Sequence, residues 1–527
     1  MVPALAKETR VKSGLLLFLL FLIPSAYYAW KNPDLPEFGK LQDDGLFFVS
    51  AKSLATGEGF RIISLPERPA QTKYPILYPL YLSLAWKINP HFPENLTTAR
   101  WLSWPLLLIC LALTWHSKLG VHPALLVAIL AFNPYMILFG CGLFSEVFFL
   151  CWLLATFIVG RRDGIEMAIF AGVLAGLAYL SRTAGIVLVI SMPAWYLWRR
   201  EPRRAFAFLA GMVPFILGWT LWSATHKFPS ASATILYYTD YVKFQSLNVG
   251  FDNLAVVLWK NVDALLYSMG SLILPKVVAL LPVKILAQVI AIAMISGIVR
   301  LVKRGIALPY ALFALLSSLM LVVWHFPPTE RFLLPIFPLL AAGLIVELEH
   351  LLQMLRLAFR HKDVSQRIAA AGFAAVVAAI LGGALAIQLY VTFKAMPEDA
   401  RNDRAKLVET RATYSWIAQN VPASAGILSA DDPLLYLYTG HPGNSAPLMP
   451  RWWYAGEYGK FADFYKDVVP YCRTRGFEFI LATSLDVSRW TGGGADSALM
   501  PGFDQNPELE RLYQGPGGAS VYRVKRR

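Results

Sequence analysis

Apolar runs recur along this chain, each close to the length that crosses a bilayer and most separated by short basic connections. A membrane-spanning helix needs about 17–25 largely apolar residues. Candidate runs fall at residues 13–30, 99–115, 122–138, 146–160, 167–180, 184–198, 205–225, 277–299, 307–324, 332–346 and 368–391. A polar stretch follows the first run, to about residue 98, and a second covers about 226–261 before an ambiguous apolar piece at 262–274. The chain is 56% hydrophobic and 16% charged, which leaves too little charge to cover a soluble surface of this size. The expected fold class is an all-α polytopic membrane protein with about eleven transmembrane helices and a small C-terminal α/β soluble domain.

The net charge of +14 would suit a nucleic-acid binder, but its placement argues for lipid. Lys118, Arg161 and Arg162, the run Arg199, Arg200, Arg203 and Arg204, the group Arg300, Lys303 and Arg304, and Arg356, Arg360, Lys362 and Arg367 all fall on one side if the N-terminus is cytoplasmic. This is the positive-inside pattern. An odd number of crossings then puts the tail outside. Lys7, Arg10 and Lys12 precede the first run, which is read as a retained span; a leader cleaved near Ser25 and Ala26 is the alternative. Residues 167–198, interrupted by Ser181, Arg182 and Thr183, read as two short crossings or one re-entrant pair.

The boundary is drawn at residue 391, with an outer loop at 31–98 and a tail at 392–527. In the tail, 404–420 has helical spacing, with Leu407, Thr410, Tyr414 and Ile417 on one side. Residues 426–430, 477–482 and 520–524 look like strands, and Gly492, Gly493 and Gly494 like a loop. The tail's charge is roughly balanced, against nucleic-acid binding. The 4 cysteines, Cys110, Cys141, Cys151 and Cys472, show no paired spacing, and the 8 histidines form no zinc motif. No phosphate-cradling glycine loop is present.

Chemistry-bearing residues cluster where the outer face is expected. Asp43 and Asp44 follow the first run by about a dozen residues, so one carboxylate can take a proton from an attacking hydroxyl, or both can simply be solvated. Lys73, before the aromatic and proline-punctuated stretch 74–80, is placed at headgroup depth on an interfacial helix; ordinary snorkelling is the bland alternative. Arg100 opens a helix, where a cation is disfavoured by the dipole, so it needs a partner, with Asp43 or Asp44 the expected one. Glu146 begins an apolar run, where an acid is costly and often functional. Arg182, Glu330 and Arg331 map to the same face; an arginine suits phosphate, whereas a Glu330–Arg331 contact or headgroup binding is the structural alternative. With no nucleotide cradle, the driving energy must arrive in a membrane-soluble activated substrate, a requirement that a polyprenyl-phosphate sugar meets.

In their order along the chain these pieces resemble the polytopic C-type (GT-C) glycosyltransferases, which include protein O-mannosyltransferases and the aminoarabinose transferase of lipid A. The matching stretches are Asp43-Asp44, Lys73-Tyr74-Pro75-Ile76-Leu77, Ala99-Arg100, Ser145-Glu146, 176–182 ending in Arg182, and 330–335 with Glu330 and Arg331. The tail adds 416–422 and 436–440. Asp-Asp stands where Asp-Glu is commoner, and Tyr74-Pro75-Ile76 replaces a double proline.

The resemblance implies inverting transfer of a monosaccharide from a polyprenyl-phosphate carrier to a glycan, lipid or protein acceptor at the extracytoplasmic face. The basic loops put the tail outside, and the lack of disulfide signals with the compact chain points to a bacterial inner membrane, the tail then periplasmic. Asp43 or Asp44 would be the base, Asp43 by position. Glu146 would place the acceptor. Lys73, Arg182 and Arg331 would hold the donor phosphate, and Arg100 and Glu330 would position the loop. A divalent cation, Mg²⁺ or Mn²⁺, held by Asp43, Asp44 and Glu146, is the alternative to cationic side chains. The competing functions are a transporter or flippase of lipid-linked sugars and a glycan polymerase or ligase.

Overall fold

The computed structural model describes residues 2–230, 233–277, 280–360, 363–444, 449–457, 459–460, 463, 468–483 and 499–526. Its first helix, α1 (Val2–Lys31), leads into the outer loop, which folds as α2 (Asp43–Ala55) and α3 (Leu77–Ile88). Then come α4 (Asn95–His116), α5 (Pro123–Ala131), α6 (Pro134–Cys141), α7 (Ser145–Gly160), α8 (Ile165–Ser181), α9 (Leu188–Trp198) and α10 (Pro202–Thr225). The second polar stretch forms α11 (Ala233–Thr239), α12 (Tyr241–Asn248) and the start of α13 (Leu254–Ser271). The remaining apolar helices are α14 (Leu281–Lys303), α15 (Leu308–Val322), the short α16 (Glu330–Leu333), α17 (Phe337–Phe359) and α18 (Val364–Tyr390).

Among the described residues, five helical segments are long and apolar enough to cross a membrane: α4, α10, α14, the α16–α17 unit, and the helix that begins at Val364. A sixth is the pair α5 and α6, which the sequence read as one straight run and which instead bends by 68°. The bend has a local cause. Pro134 has no N–H to continue α5, and the Asn133 side chain caps α6 by accepting from the Met136 N–H at 3.1 Å. Five further apolar helices are shorter. Close helix contact depends on glycine: a Cβ on Gly172 of α8 would lie 2.1 Å from the backbone oxygen of Phe208 in α10. The fold is thus that of a multi-pass helical membrane protein.

Helix α18 does not stop at the drawn boundary. It runs through a π-helical turn (Val391–Ala395) into α19 (Met396–Asn420), the helix expected from 404 onward, with Tyr414 and Ile417 buried. A mixed sheet follows, built from β1 (Gly426–Leu428), β2 (Gly443–Asn444), β3 (Phe477–Ala482), β4 (Leu509–Gln514) and β5 (Ser520–Val524). Its order is β2-β1-β3-β5-β4, with β1 parallel to β2 and β3, and β5 antiparallel to β3 and β4. Helix α20 (Asp432–Thr439) crosses from β1 to β2 and ends at Gly440, whose φ of 77° a Cβ would oppose. The expected glycine loop at 492–494 lies outside the described residues.

The sheet domain is not a pendant. Phe47, Tyr78 and Trp86 of the outer loop share one hydrophobic core with Tyr414, Ile417, Leu434, Leu435 and Phe479 of the tail. The outer loop is therefore clamped between the apolar bundle and the sheet. That clamp carries the first acidic pair.

Candidate active site

Asp43 is the first residue of α2, so its carboxylate sits at the positive end of that helix. Its Oδ2 accepts from Arg331 Nη1 at 2.7 Å, and its Oδ1 accepts from the Tyr74 hydroxyl. Burial alone would raise its pKa, but Arg331, Lys73 and the Tyr74 hydrogen bond outweigh it, so the carboxyl titrates below its ordinary value. Asp44 faces elsewhere. It accepts backbone N–H bonds from Gly39 at 2.7 Å and Gly45 at 3.0 Å. Burial pushes it up to about 6 against those two bonds. Gly39 is required there: φ is +91° and Leu434 of the tail packs where a Cβ would be.

Glu146, second in α7, is fully buried. Its Oε1 accepts from Arg182 Nη1 at 2.5 Å and also from Arg331 Nε. Arg182 occupies the extended break that ends α8, and bonds Ser145 Oγ at 2.9 Å as well. Arg331 sits in α16, the single turn that precedes α17. Asp43, Arg331, Glu146 and Arg182 thus form one continuous chain of charge, drawn from four separate stretches of sequence. Glu146 Oε2 is buried without a hydrogen-bond partner among the described residues.

Lys73 departs from the sequence expectation. It lies not on a helix but in the loop before α3, and its side chain is packed inside the protein, 7% exposed. Its Nζ lies 3.3 Å from the ring centre of Tyr237 and within 4.9 Å of those of Tyr241 and Tyr74. Its Nζ makes no hydrogen bond among the described residues. Burial pushes its ammonium down to about 7, opposed by Asp43 and reinforced by Arg331.

One expected contact is corrected, and one contact weighed as an alternative is not formed. Arg100 pairs with Glu37 at 2.8 Å, not with Asp43 or Asp44, because it lies in the second turn of α4 facing the chain that leaves α1. Glu330 does not pair with its neighbour Arg331; Lys276 reaches it at 2.7 Å and Ser271 Oγ donates to it. Residues that sequence reasoning passed over are Tyr74, Tyr237, Tyr241 and Glu37. The tyrosines at 237, 238 and 241 were a visible aromatic knot in an otherwise polar stretch.

Cavities lie on two sides of the charge chain. One, of about 640 Å³, has Arg331, Glu330 and Glu37 on its wall with Tyr28, Tyr135, Phe144 and Phe326. A smaller one, of about 130 Å³, is lined by Arg182, Thr183, Ser317 and Trp324. A metal does not fit the expected carboxylates. Arg331 stands between Asp43 and Glu146, Asp44 is spent on backbone N–H groups, and no group of three or more His, Cys, Asp or Glu side chains is placed to hold an ion among the described residues.

Fold and site define a multi-pass membrane protein that carries a buried acid–guanidinium cluster beside a C-terminal sheet domain. Solved structures share the overall fold. ArnT from Cupriavidus metallidurans bound to undecaprenyl phosphate matches over 97% of this chain and 98% of its own, at 14% identity and a TM-score of 0.52. An oligosaccharyltransferase from Archaeoglobus fulgidus, tethered to an acceptor peptide, matches over 97% of this chain and 74% of its own, at 12% identity and a TM-score of 0.50. No family model and no curated protein matches the sequence. The chain therefore has the fold of these two proteins.

Proposed function

We propose that this protein is a membrane glycosyltransferase that moves a monosaccharide from a polyprenyl-phosphate carrier to an acceptor at the extracytoplasmic face, with inversion. Eleven crossings, a cytoplasmic N-terminus, a periplasmic tail and a bacterial inner membrane belong to the same reading, supported by the placement of basic loops. The observation that carries the proposal is the Asp43–Arg331–Glu146–Arg182 chain, set between two cavities with the unsatisfied Lys73 ammonium nearby. The neighbouring fold bound to undecaprenyl phosphate supports a lipid-linked donor.

The donor phosphate binds Lys73, Arg182 and Arg331. Arg331 now spends its guanidinium on Asp43 and Glu146; sharing it with a phosphate loosens its hold on Asp43 and raises that carboxylate's basicity. The acceptor hydroxyl enters from the larger cavity and is oriented by Glu146 Oε2. Its oxygen forms a bond to the anomeric carbon as Asp43 takes its proton. The bond from that carbon to the phosphate oxygen breaks, and the electron pair leaves on the carrier phosphate, where the cationic side chains stabilise it. Attack opposite the leaving group inverts the anomeric centre. No step passes through a metal.

Purified protein with a radiolabelled undecaprenyl-phosphate monosaccharide and envelope lipids or glycans should yield a new covalent product one sugar larger than the acceptor. Relocation of the label across a vesicle bilayer without such a product would instead make the protein a transporter, and stepwise ladders would make it a polymerase.

A further inference from the structure

The residue before the proposed base is held from the far end of the chain. Gln42 has a left-handed backbone, φ 61°, which a side chain disfavours. Its Nε2 donates to Tyr238 Oη at 2.8 Å and to Asp432 Oδ1 at 3.1 Å, the latter 390 positions away. Asp432 opens α20 in the sheet domain and is fully buried. The same Oδ1 accepts from the Tyr238 hydroxyl at 2.7 Å, and Oδ2 accepts from Ser64 Oγ at 3.1 Å. One carboxylate therefore ties together the sheet domain, the outer loop and α11. Its neighbour Pro433 packs against Gly45 in the first turn of α2. The Gln42 carbonyl accepts from the Leu46 N–H at 3.0 Å, the bond that starts α2.

We infer that Asp432 is a positioning residue for the transfer reaction: through Gln42 and Tyr238 it fixes the left-handed turn that aims Asp43. A carboxylate suits this task because it accepts three donors at once and so holds a strained turn with no give. The sheet domain then acts as part of the active site's scaffold, although none of its residues belongs to the acid–guanidinium cluster. The inference rests on the proposed glycosyltransferase reading for its kinetic arm and on geometry alone for its structural arm.

The experiment compares Asp432→Ala, Asp432→Asn, Gln42→Ala and Tyr238→Phe with the wild-type full chain in nanodiscs. Hydrogen–deuterium exchange over α2 is read first, since it needs no substrate. Asp432→Ala and Gln42→Ala should speed exchange at residues 43–47, with the rest of the sheet domain unchanged. Asp432→Asn, which keeps the shape and can still bond Gln42, Tyr238 and Ser64, should stay near wild type. In the transfer assay Asp432→Ala and Gln42→Ala should lower kcat at least tenfold with donor KM within twofold, and the double variant should lose no more than the worse single one. Asp432→Asn should recover most of that kcat. If Asp432→Ala disrupts the sheet domain itself, Gln42→Ala and Tyr238→Phe test the link from its other side. Unchanged exchange at 43–47 in all variants overturns the inference. So does a donor KM rise in Asp432→Asn equal to that in Asp432→Ala, which would mean that Asp432 acts by charge on Lys73. A wild-type protein that transfers no sugar defeats the functional reading and leaves the exchange result to decide the positioning.

Discussion

Arg331 Nη1 stands 2.7 Å from Asp43 Oδ2, joining residues 288 positions apart across the outer loop and the last third of the bundle. The same guanidinium reaches Glu146 through Nε. One side chain therefore holds both acids. It favours the ionised form of Asp43; in the proposed reaction this is the resting arrangement that the donor phosphate releases.

Asp43→Asn keeps the shape of that carboxylate and removes its capacity to take a proton. Transfer should fall by about 10²–10⁴-fold with donor binding preserved. Asp44→Asn should act differently, since Asp44 holds backbone N–H groups of Gly39 and Gly45. It should lower thermal stability and reduce turnover far less. Labelled-sugar transfer and melting temperature on both variants check this. Full turnover in Asp43→Asn would remove it as the base.

If Lys73 holds the donor phosphate as proposed, donor binding should depend on pH. Burial holds its ammonium near 7 in the empty site, so it is charged below that pH and neutral above it. A sugar phosphodiester carries one charge throughout this range, so only the lysine titrates against it. Donor affinity should be highest below pH 7 and fall as pH rises through it, by up to about tenfold per pH unit, until the pKa of the occupied site is reached. Lys73→Arg stays charged and should flatten the curve. Binding of a non-hydrolysable donor analogue between pH 6 and 9 measures both; equal slopes in the two proteins would exclude Lys73 as the titrating group.

Much of this was written in the sequence, and the misses have physical causes. Strands 477–482 and 520–524 were legible because they are short apolar or alternating runs bounded by turn residues, and the structure gives them as Phe477–Ala482 and Ser520–Val524. Glu146, Arg182 and Arg331 stood out as charges beside apolar runs, and Asp43 as half of an acidic pair soon after the first run, although solvation or headgroup binding remained open for them. Their meeting point was not legible, because contacts at separations of 185 and 288 leave no local signature. Hydropathy averaged over the bend at Asn133 and Pro134, although that dipeptide is itself a break signal. The depth of Lys73 depends on tyrosines from α11 and α12 closing over it. The Glu37 partner of Arg100 was missed because a dipole argument says that a cation needs an anion without saying which.

The Arg100–Glu37 pair offers a structural contrast. Arg100 is fully buried, and its Nη2 lies 2.8 Å from Glu37 Oε1. Arg100→Met strands a buried carboxylate and should cost about 3–5 kcal/mol. Adding Glu37→Gln removes the stranded charge and should restore most of that loss. Chemical denaturation in detergent gives the stabilities. A double variant no more stable than Arg100→Met would show that the pair is not the unit that matters.

Arg331 tests the link between stability and catalysis in the cluster itself. Arg331→Gln leaves Asp43 facing Tyr74 and Lys73 without its nearest countercharge, while Glu146 keeps Arg182. Breaking a buried pair from one side costs about 3–5 kcal/mol, and the melting temperature should drop accordingly. Turnover should fall with it, because a cation that stabilises the departing phosphate is gone. Arg331→Lys should recover part of the stability and little of the rate, since a single ammonium cannot span Asp43 and Glu146 as the guanidinium fork does. The decisive variant is the double Arg331→Gln, Asp43→Asn. It removes both charges, so it should melt above Arg331→Gln alone while remaining inactive. If the double variant melts no higher than the single one, Arg331 holds the fold through contacts other than Asp43, and the release of a restrained base by donor phosphate loses its structural footing.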